Sequence, residues 1–195
     1  FHAQTAVEAA VTLHHEVKDR LNDIESINIT THESAIRIIS KVGDLNNPAD
    51  RDHCLQYMIA IGLLKGDLIA EDYEDDVASD PRVDALREKM VISEDRRYST
   101  EYHEADKRSI ANKIQIHFND GSSTDAVEVE YPIGHMRRRV EGIPVLEQKF
   151  LKNLQITFDT NKTDKIYNLC TNQNELENIS VTDFQELFSV ELNNF

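Results

Sequence analysis

Apolar residues at Ala6, Val7, Ala10, Val11, Leu13 and Val17 recur near a period of about 3.6 residues and predict a helix over 1–21, closed by Asn22-Asp23. Alternation over 26–31, introduced by Ile24, Ile27 and Ile29, predicts a strand. A short helix follows over 35–40, then a loop of turn-forming residues over 43–47. Pro48 suits a helix entrance, where its fixed φ and missing N–H are tolerated. Leu55, Met58, Ile59, Ile61, Leu63 and Leu64 then make a run fit for one buried helix over 49–64, stopping before Gly66. Two amphipathic helices are predicted over 70–78 and 81–89, the second capped by Ser79 or Asp80 with Pro81 in its first turn. A short strand is expected over 91–93, whereas the polar stretch 96–107 shows no period to assign.

The clearest pairing signal lies further on. Ile114, Ile116 and Phe118 alternate with Lys113, Gln115 and His117, and Val127, Val129 and Tyr131 alternate with Glu128 and Glu130. Asn119-Asp120-Gly121-Ser122 supplies the turn, so 110–118 and 124–131 read as two strands with one buried and one wet face. Pro132 ends the second. Leu146, Phe150, Leu154 and Phe158, four apart, predict a helix over 144–158, and further helices are expected around 164–171 and 182–190. The fold class is α+β: a domain over 1–143 with a small antiparallel sheet and helices, then a helical segment over 144–195. So short a tail buries little by itself and is expected to pack against something else.

Composition narrows the function. With 195 residues and 39% apolar content the chain has enough for a core. A net charge of −15 argues against a nucleic-acid partner. It also opposes an anionic substrate unless positive charge is concentrated locally, as at Arg137-Arg138-Arg139. Cys54 and Cys170 lack metal or disulfide spacing, so a reduced, cytoplasmic protein is expected. No apolar run approaches the ~20 residues of a membrane helix, and Phe1-His2 opens no secretory signal. A start at Phe1 rather than methionine predicts a piece of a longer protein.

The candidate chemistry centres on Asn46 to Tyr57. Arg51, His53 and Tyr57 lie on or beside the first turns of an otherwise apolar helix, and the spacing of His53 and Tyr57 puts both on one face. A proton-handling ring, a phenol and a fixed cation suit work on a carboxylate. The plain alternative is a capped helix with hydrogen-bonded polar ends. His135 with Arg137, Arg138 and Arg139 forms the dense basic cluster of this acidic chain, suited to capturing an anion, to pairing with the acidic stretch 71–76, or to plain solvation. No metal is expected. His14 and His15 are adjacent, no H-x-x-x-H spacing occurs, and the acids of 71–76 lack the glycine-bearing loop of a calcium hand.

Three segments match one family in order and spacing: Thr31-His32-Glu33-Ser34-Ala35-Ile36-Arg37-Ile38-Ile39, then Asn46 to Tyr57, then Tyr131-Pro132-Ile133-Gly134-His135-Met136-Arg137-Arg138-Arg139. From Phe1 to roughly Val190 the chain resembles the C-terminal part of the PrpD branch of the MmgE/PrpD family. The resemblance implies a smaller α+β lid on an all-helical domain that lies mostly outside this sequence, with the tail returning to that domain. It implies dehydration of 2-methylcitrate to 2-methyl-cis-aconitate in propionate breakdown, with no cofactor and no iron–sulfur cluster, by a homodimer.

Elimination needs a base beside a carboxylate, an acid for the departing hydroxyl and cations to hold the carboxylates. His2 matches a family histidine at the lid edge and is the first expectation for proton transfer, although a terminal histidine is otherwise read as exposed. Tyr57 matches a tyrosine facing the cleft, its alternative being a core tyrosine with a bonded hydroxyl. Arg51 is expected to contact a substrate carboxylate and His53 to orient or move a proton. His135, Arg137, Arg138 and Arg139 are expected to bind the tricarboxylate, with one or two of the arginines facing it. The rivals are a relative acting on citrate or cis-aconitate, by dehydration or decarboxylation, and a lid-fold interaction module without catalysis.

Overall fold

The apolar period at the start of the chain becomes helix α1 (Gln4–Val17) in a computed structural model that describes residues 1–189. Strand β1 (Ile24–Thr31), α2 (Glu33–Ile39), α3 (Pro48–Arg51) and α4 (Leu55–Lys65) follow. A 3-10 turn (Ala70–Tyr73), α5 (Asp75–Ala78) and α6 (Pro81–Arg87) then lead to β2 (Met90–Glu94), α7 (Arg96–His103), β3 (Asn112–Phe118) and β4 (Val127–Val129). The four strands form one sheet in the order β2-β1-β3-β4. Ile27, Ile29, Ile114 and Ile116 fill its inner face, while Asn28, Lys113 and Gln115 lie on the outer one.

Helix α4 is buried all round from Leu55 to Leu63 and so occupies the middle of this unit. Burying each of Leu55, Ile59, Ile61 and Leu63 contributes roughly 1.5–3 kcal/mol. Gly62 lets α1 come close: a Cβ there would stand 2.9 Å from the Ala10 Cβ. His14 clips the same two helices together, its Nδ1–H donating to the Leu63 carbonyl at 2.9 Å. Gly66, with φ +71, closes α4 in the left-handed conformation.

The α+β class holds, but the sheet is mixed rather than antiparallel. β1 runs parallel to β2 and antiparallel to β3, because the passage from β1 to β2 is a crossover long enough to carry α2 to α6. The helix predicted over 49–64 is in fact two. The Asn47 side chain caps α3 by accepting from the Asp50 N–H at 2.9 Å, and Cys54, extended at φ −122 and ψ 107, separates α3 from α4. The helix predicted over 70–78 also breaks, at the extended Glu74. The unassigned polar stretch is α7, capped by the Asp95 side chain accepting from the Arg97 N–H.

Contacts divide the chain between Arg137 and Arg138, a few residues before the boundary read from the sequence. The second unit holds α8 (Arg139–Thr157), α9 (Thr160–Thr171), α10 (Gln173–Asn178) and α11 (Val181–Leu187). Pro144 lies inside α8 rather than at its start. Asp159, Asn172 and Ser180 cap the last three helices through their side chains. Phe150 stacks on Tyr167 between α8 and α9, and Ile166 and Leu154 are buried. Residues 190–195, where the last predicted helix and the tail end, lie outside the described residues.

Candidate active site

His2 is drawn into the first unit by its backbone. Its carbonyl accepts from the Asn112 side-chain amide at 3.1 Å, and the same amide donates to Thr5 Oγ1 at 2.8 Å. Thr5 in turn donates to the Ile110 carbonyl, so the approach to α1 is tied to the start of β3. The His2 ring is half-buried against His32, 5.1 Å between centroids, and Tyr102, 5.6 Å.

His32 follows β1 and caps α2, its Nδ1 accepting from the Ala35 N–H at 3.3 Å. That bond requires a lone pair on Nδ1, so in the neutral ring the proton sits on Nε2. The ring is 0% exposed and lies flat on Tyr102, with centroids 4.8 Å apart and planes 6° from parallel. Burial, helped by the charges of His2 and His103, pulls its pKa down to about 4. Burial also lowers that of His2. Two uncharged imidazoles therefore sit side by side at neutral pH. The His2 Nδ1 and His32 Nε2 are both buried without a hydrogen-bond partner, as are Thr31 Oγ1, Ser109 Oγ and Asn112 Oδ1. Unpaired buried polar atoms are costly, and they mark the place in this unit where a polar ligand has most to satisfy.

Arg51, His53 and Tyr57 do not converge. With Cys54 breaking the helix, His53 and Tyr57 no longer share a face. Arg51 turns inward, donating to the Tyr73 carbonyl at 2.7 Å and pairing with Asp75 at 2.7 Å. His53 is exposed and bonded through Nδ1 to Asp52. Tyr57 is 1% exposed, stacks near Tyr73, and donates its hydroxyl to the Asp72 carbonyl at 2.5 Å. Burial pushes the phenol up to about 12. Among the described residues no ring contact or hydrogen bond joins Tyr57 to His2, so the alternative of a core tyrosine with a bonded hydroxyl describes its placement.

The basic loop is split between the two units. In the first, His135 stacks on Tyr131 at 4.5 Å and accepts through Nδ1 from the Arg137 N–H. The exposed Arg137 guanidinium lies 5.1 Å from the Tyr131 ring centre and donates to the Asp106 carbonyl at 2.5 Å. In the second, Arg138 pairs with Glu141 at 2.5 Å, lowering that carboxyl, and Arg139 opens α8 exposed. Among the described residues no three His, Cys, Asp or Glu side chains gather as a cation cage would require.

Sequence reasoning named His2 but not its partners. Tyr102 lay in the unassigned stretch, and Asn112 looked like an ordinary strand residue. His32 left one signal: a histidine immediately before a helix, where Ser, Thr, Asp or Asn is usual.

An α+β unit that sets the His2 and His32 imidazoles side by side is what the fold and this cluster define. The family model described as MmgE/PrpD C-terminal domain matches residues 1–173, and the chain belongs to the MmgE/PrpD family. Over 193 residues it is 50% identical to the 2-methylcitrate dehydratases of Salmonella typhimurium and of Escherichia coli K12, covering 97% of this chain and 40% of each relative. It is 51% identical over 191 residues to the mitochondrial 2-methylcitrate dehydratase of Yarrowia lipolytica, 96% of this chain and 36% of that protein. The chain thus spans well under half the length of these relatives. Among the described residues no helix is long and apolar enough to cross a membrane.

Proposed function

We propose that this chain is the C-terminal portion of a 2-methylcitrate dehydratase. As a hydro-lyase it would remove water from 2-methylcitrate to give 2-methyl-cis-aconitate in the methylcitrate cycle of propionate breakdown. The observation that carries the reading is the 50% identity to dehydratases of that name along nearly the whole chain. The geometry is compatible with it. His2 is uncharged at neutral pH and half-buried, which suits a group that meets a substrate oxygen or proton. Arg137 offers an exposed planar cation for a carboxylate, with His135 and Tyr131 behind it. Arg51 and Tyr57 would hold the surrounding helices from within.

The proposed reaction runs without an iron–sulfur cluster. The rest of the site would come from an upstream helical domain of the same protein, so the isolated chain would be inactive. A cytoplasmic homodimer is part of the proposal, and the unpaired thiols of Cys54 and Cys170 fit a reducing compartment. Incubating the complete protein with 2-methylcitrate and following both the conjugated product and CO2 tests the reading. Water loss without CO2 supports it, and CO2 release or no turnover overturns it.

A further inference from the structure

We propose that His32 is a positioning residue for His2: its Nε2–H, fixed in place by the α2 cap and by the Tyr102 stack, holds the His2 imidazole through Nδ1 and leaves the His2 Nε2–H to face the ligand. The inference rests on the reading of His2 as a substrate-facing group and adds the residue that fixes its tautomer.

Three observations carry it. The first concerns satisfaction. A buried histidine is ordinarily content when both ring nitrogens are bonded, but here only Nδ1 is occupied, by the Ala35 N–H. The remaining Nε2–H is a donor sealed from water. The second is complementarity. The His2 ring lies 5.1 Å away between centroids and tilted by 57°, and its Nδ1 is likewise a buried nitrogen without a partner. The two nitrogens are not bonded to each other in this arrangement, and a turn of the His2 side chain would bring the acceptor to the donor. The third is constraint. His32 cannot swing away, because Tyr102 lies flat on its face and turning the ring would surrender the α2 cap. The His2 backbone is held in turn by Asn112.

The consequence is chemical. A His2 ring that accepts at Nδ1 carries its proton on Nε2 and stays neutral, since a second proton must enter at the nitrogen His32 occupies. His2 then serves as a fixed hydrogen-bond donor to a substrate oxygen, and the group that removes the carbon-bound proton lies elsewhere. Tyr102 and His103 on α7 are the titratable side chains beside the pair.

The test uses the complete protein and three forms: wild type, His2→Ala and His32→Asn. Asparagine can still accept from the Ala35 N–H and so keeps the cap, but it lacks the ring nitrogen that faces His2. His2→Ala is expected to lower kcat by about 100-fold or more, and His32→Asn by about 10-fold with little change in KM. In His32→Asn the acid limb of the pH profile moves to higher pH, because His2 is then free to take a second proton. Nitrogen NMR on labelled histidine is expected to show His2 as a single Nε2–H tautomer in wild type and a mixture in His32→Asn. If His2→Ala is crippled but His32→Asn keeps the wild-type limb and tautomer, the positioning role is wrong while the reading of His2 stands. If His2→Ala turns over normally, that reading itself fails. Should His32→Asn not fold, the wild-type spectrum decides alone, and a proton on His2 Nδ1 overturns the proposal.

Discussion

The Arg51 guanidinium meets the Asp75 carboxylate at 2.7 Å, yet the two side chains live in different surroundings, 6% and 83% exposed respectively. The pair joins α3 to the first turn of α5 across a stretch of chain that sequence patterning read as two separate helices.

That asymmetry sets unequal costs. Arg51→Ala removes a buried cation that also bonds the Tyr73 and Leu45 carbonyls, and is expected to destabilise by about 2–4 kcal/mol. Asp75→Asn removes only the solvated partner and should cost under about 1 kcal/mol. Denaturant unfolding of both variants checks the ordering; equal losses would mean that the ion pair, not the carbonyl contacts, holds the segment.

Tyr57→Phe deletes the donor that satisfies the Asp72 carbonyl and is expected to cost about 1 kcal/mol. The phenol, raised from 10.0 to about 12 by burial, binds its proton more tightly in the folded state. Its contribution is therefore complete below pH 10 and is lost as pH climbs toward about 12. Stability measured across that window should fall more steeply for wild type than for Tyr57→Phe. At neutral pH the group is a donor and never a tyrosinate base.

His32 gives the opposite sign. Its pKa falls from 6.5 to about 4, so the folded state binds this proton less tightly than the unfolded one. The resulting stability is present above 6.5 and declines as pH drops toward about 4. His32→Asn should flatten the difference between denaturation midpoints at pH 7 and pH 4. A variant as acid-sensitive as wild type would show that the ring titrates normally.

Gly62→Ala is expected to push α1 off α4. The added methyl would stand 2.9 Å from the Ala10 Cβ, and overpacking of that kind costs about 1–3 kcal/mol against a helix-propensity gain of up to about 1. Thermal unfolding should register a net loss. Restoring space with Ala10→Gly in the same chain should recover part of it.

Periodicity made much of this architecture legible before any coordinates. The alternation around Ile114 and Ile116 placed β3 on its buried face, and Pro81 marked the start of α6. It missed the break at Cys54 because neither Cys54 nor its neighbours Asp52, His53 and Leu55 is a glycine or proline that would mark an extended backbone. It missed the parallel β1–β2 pair because pairing depends on the route of the chain between strands and not on the pattern within them. The candidate site was legible only in part for the same reason. His2, His32, Tyr102 and Asn112 are far apart in sequence, and only the meeting of α1, the end of β1, α7 and β3 gathers them. Arg51 and Tyr57 looked like site residues because polar groups in a buried run demand partners. The partners they found were Asp75 and the Asp72 carbonyl.

The most direct test of the central claim is turnover of 2-methylcitrate by the complete protein with and without the His2 imidazole. The account predicts 2-methyl-cis-aconitate from wild type and a fall in kcat of about 100-fold or more for a folded His2→Ala variant. A folded variant that produces it at the wild-type rate would contradict the assignment of this cluster to the active site.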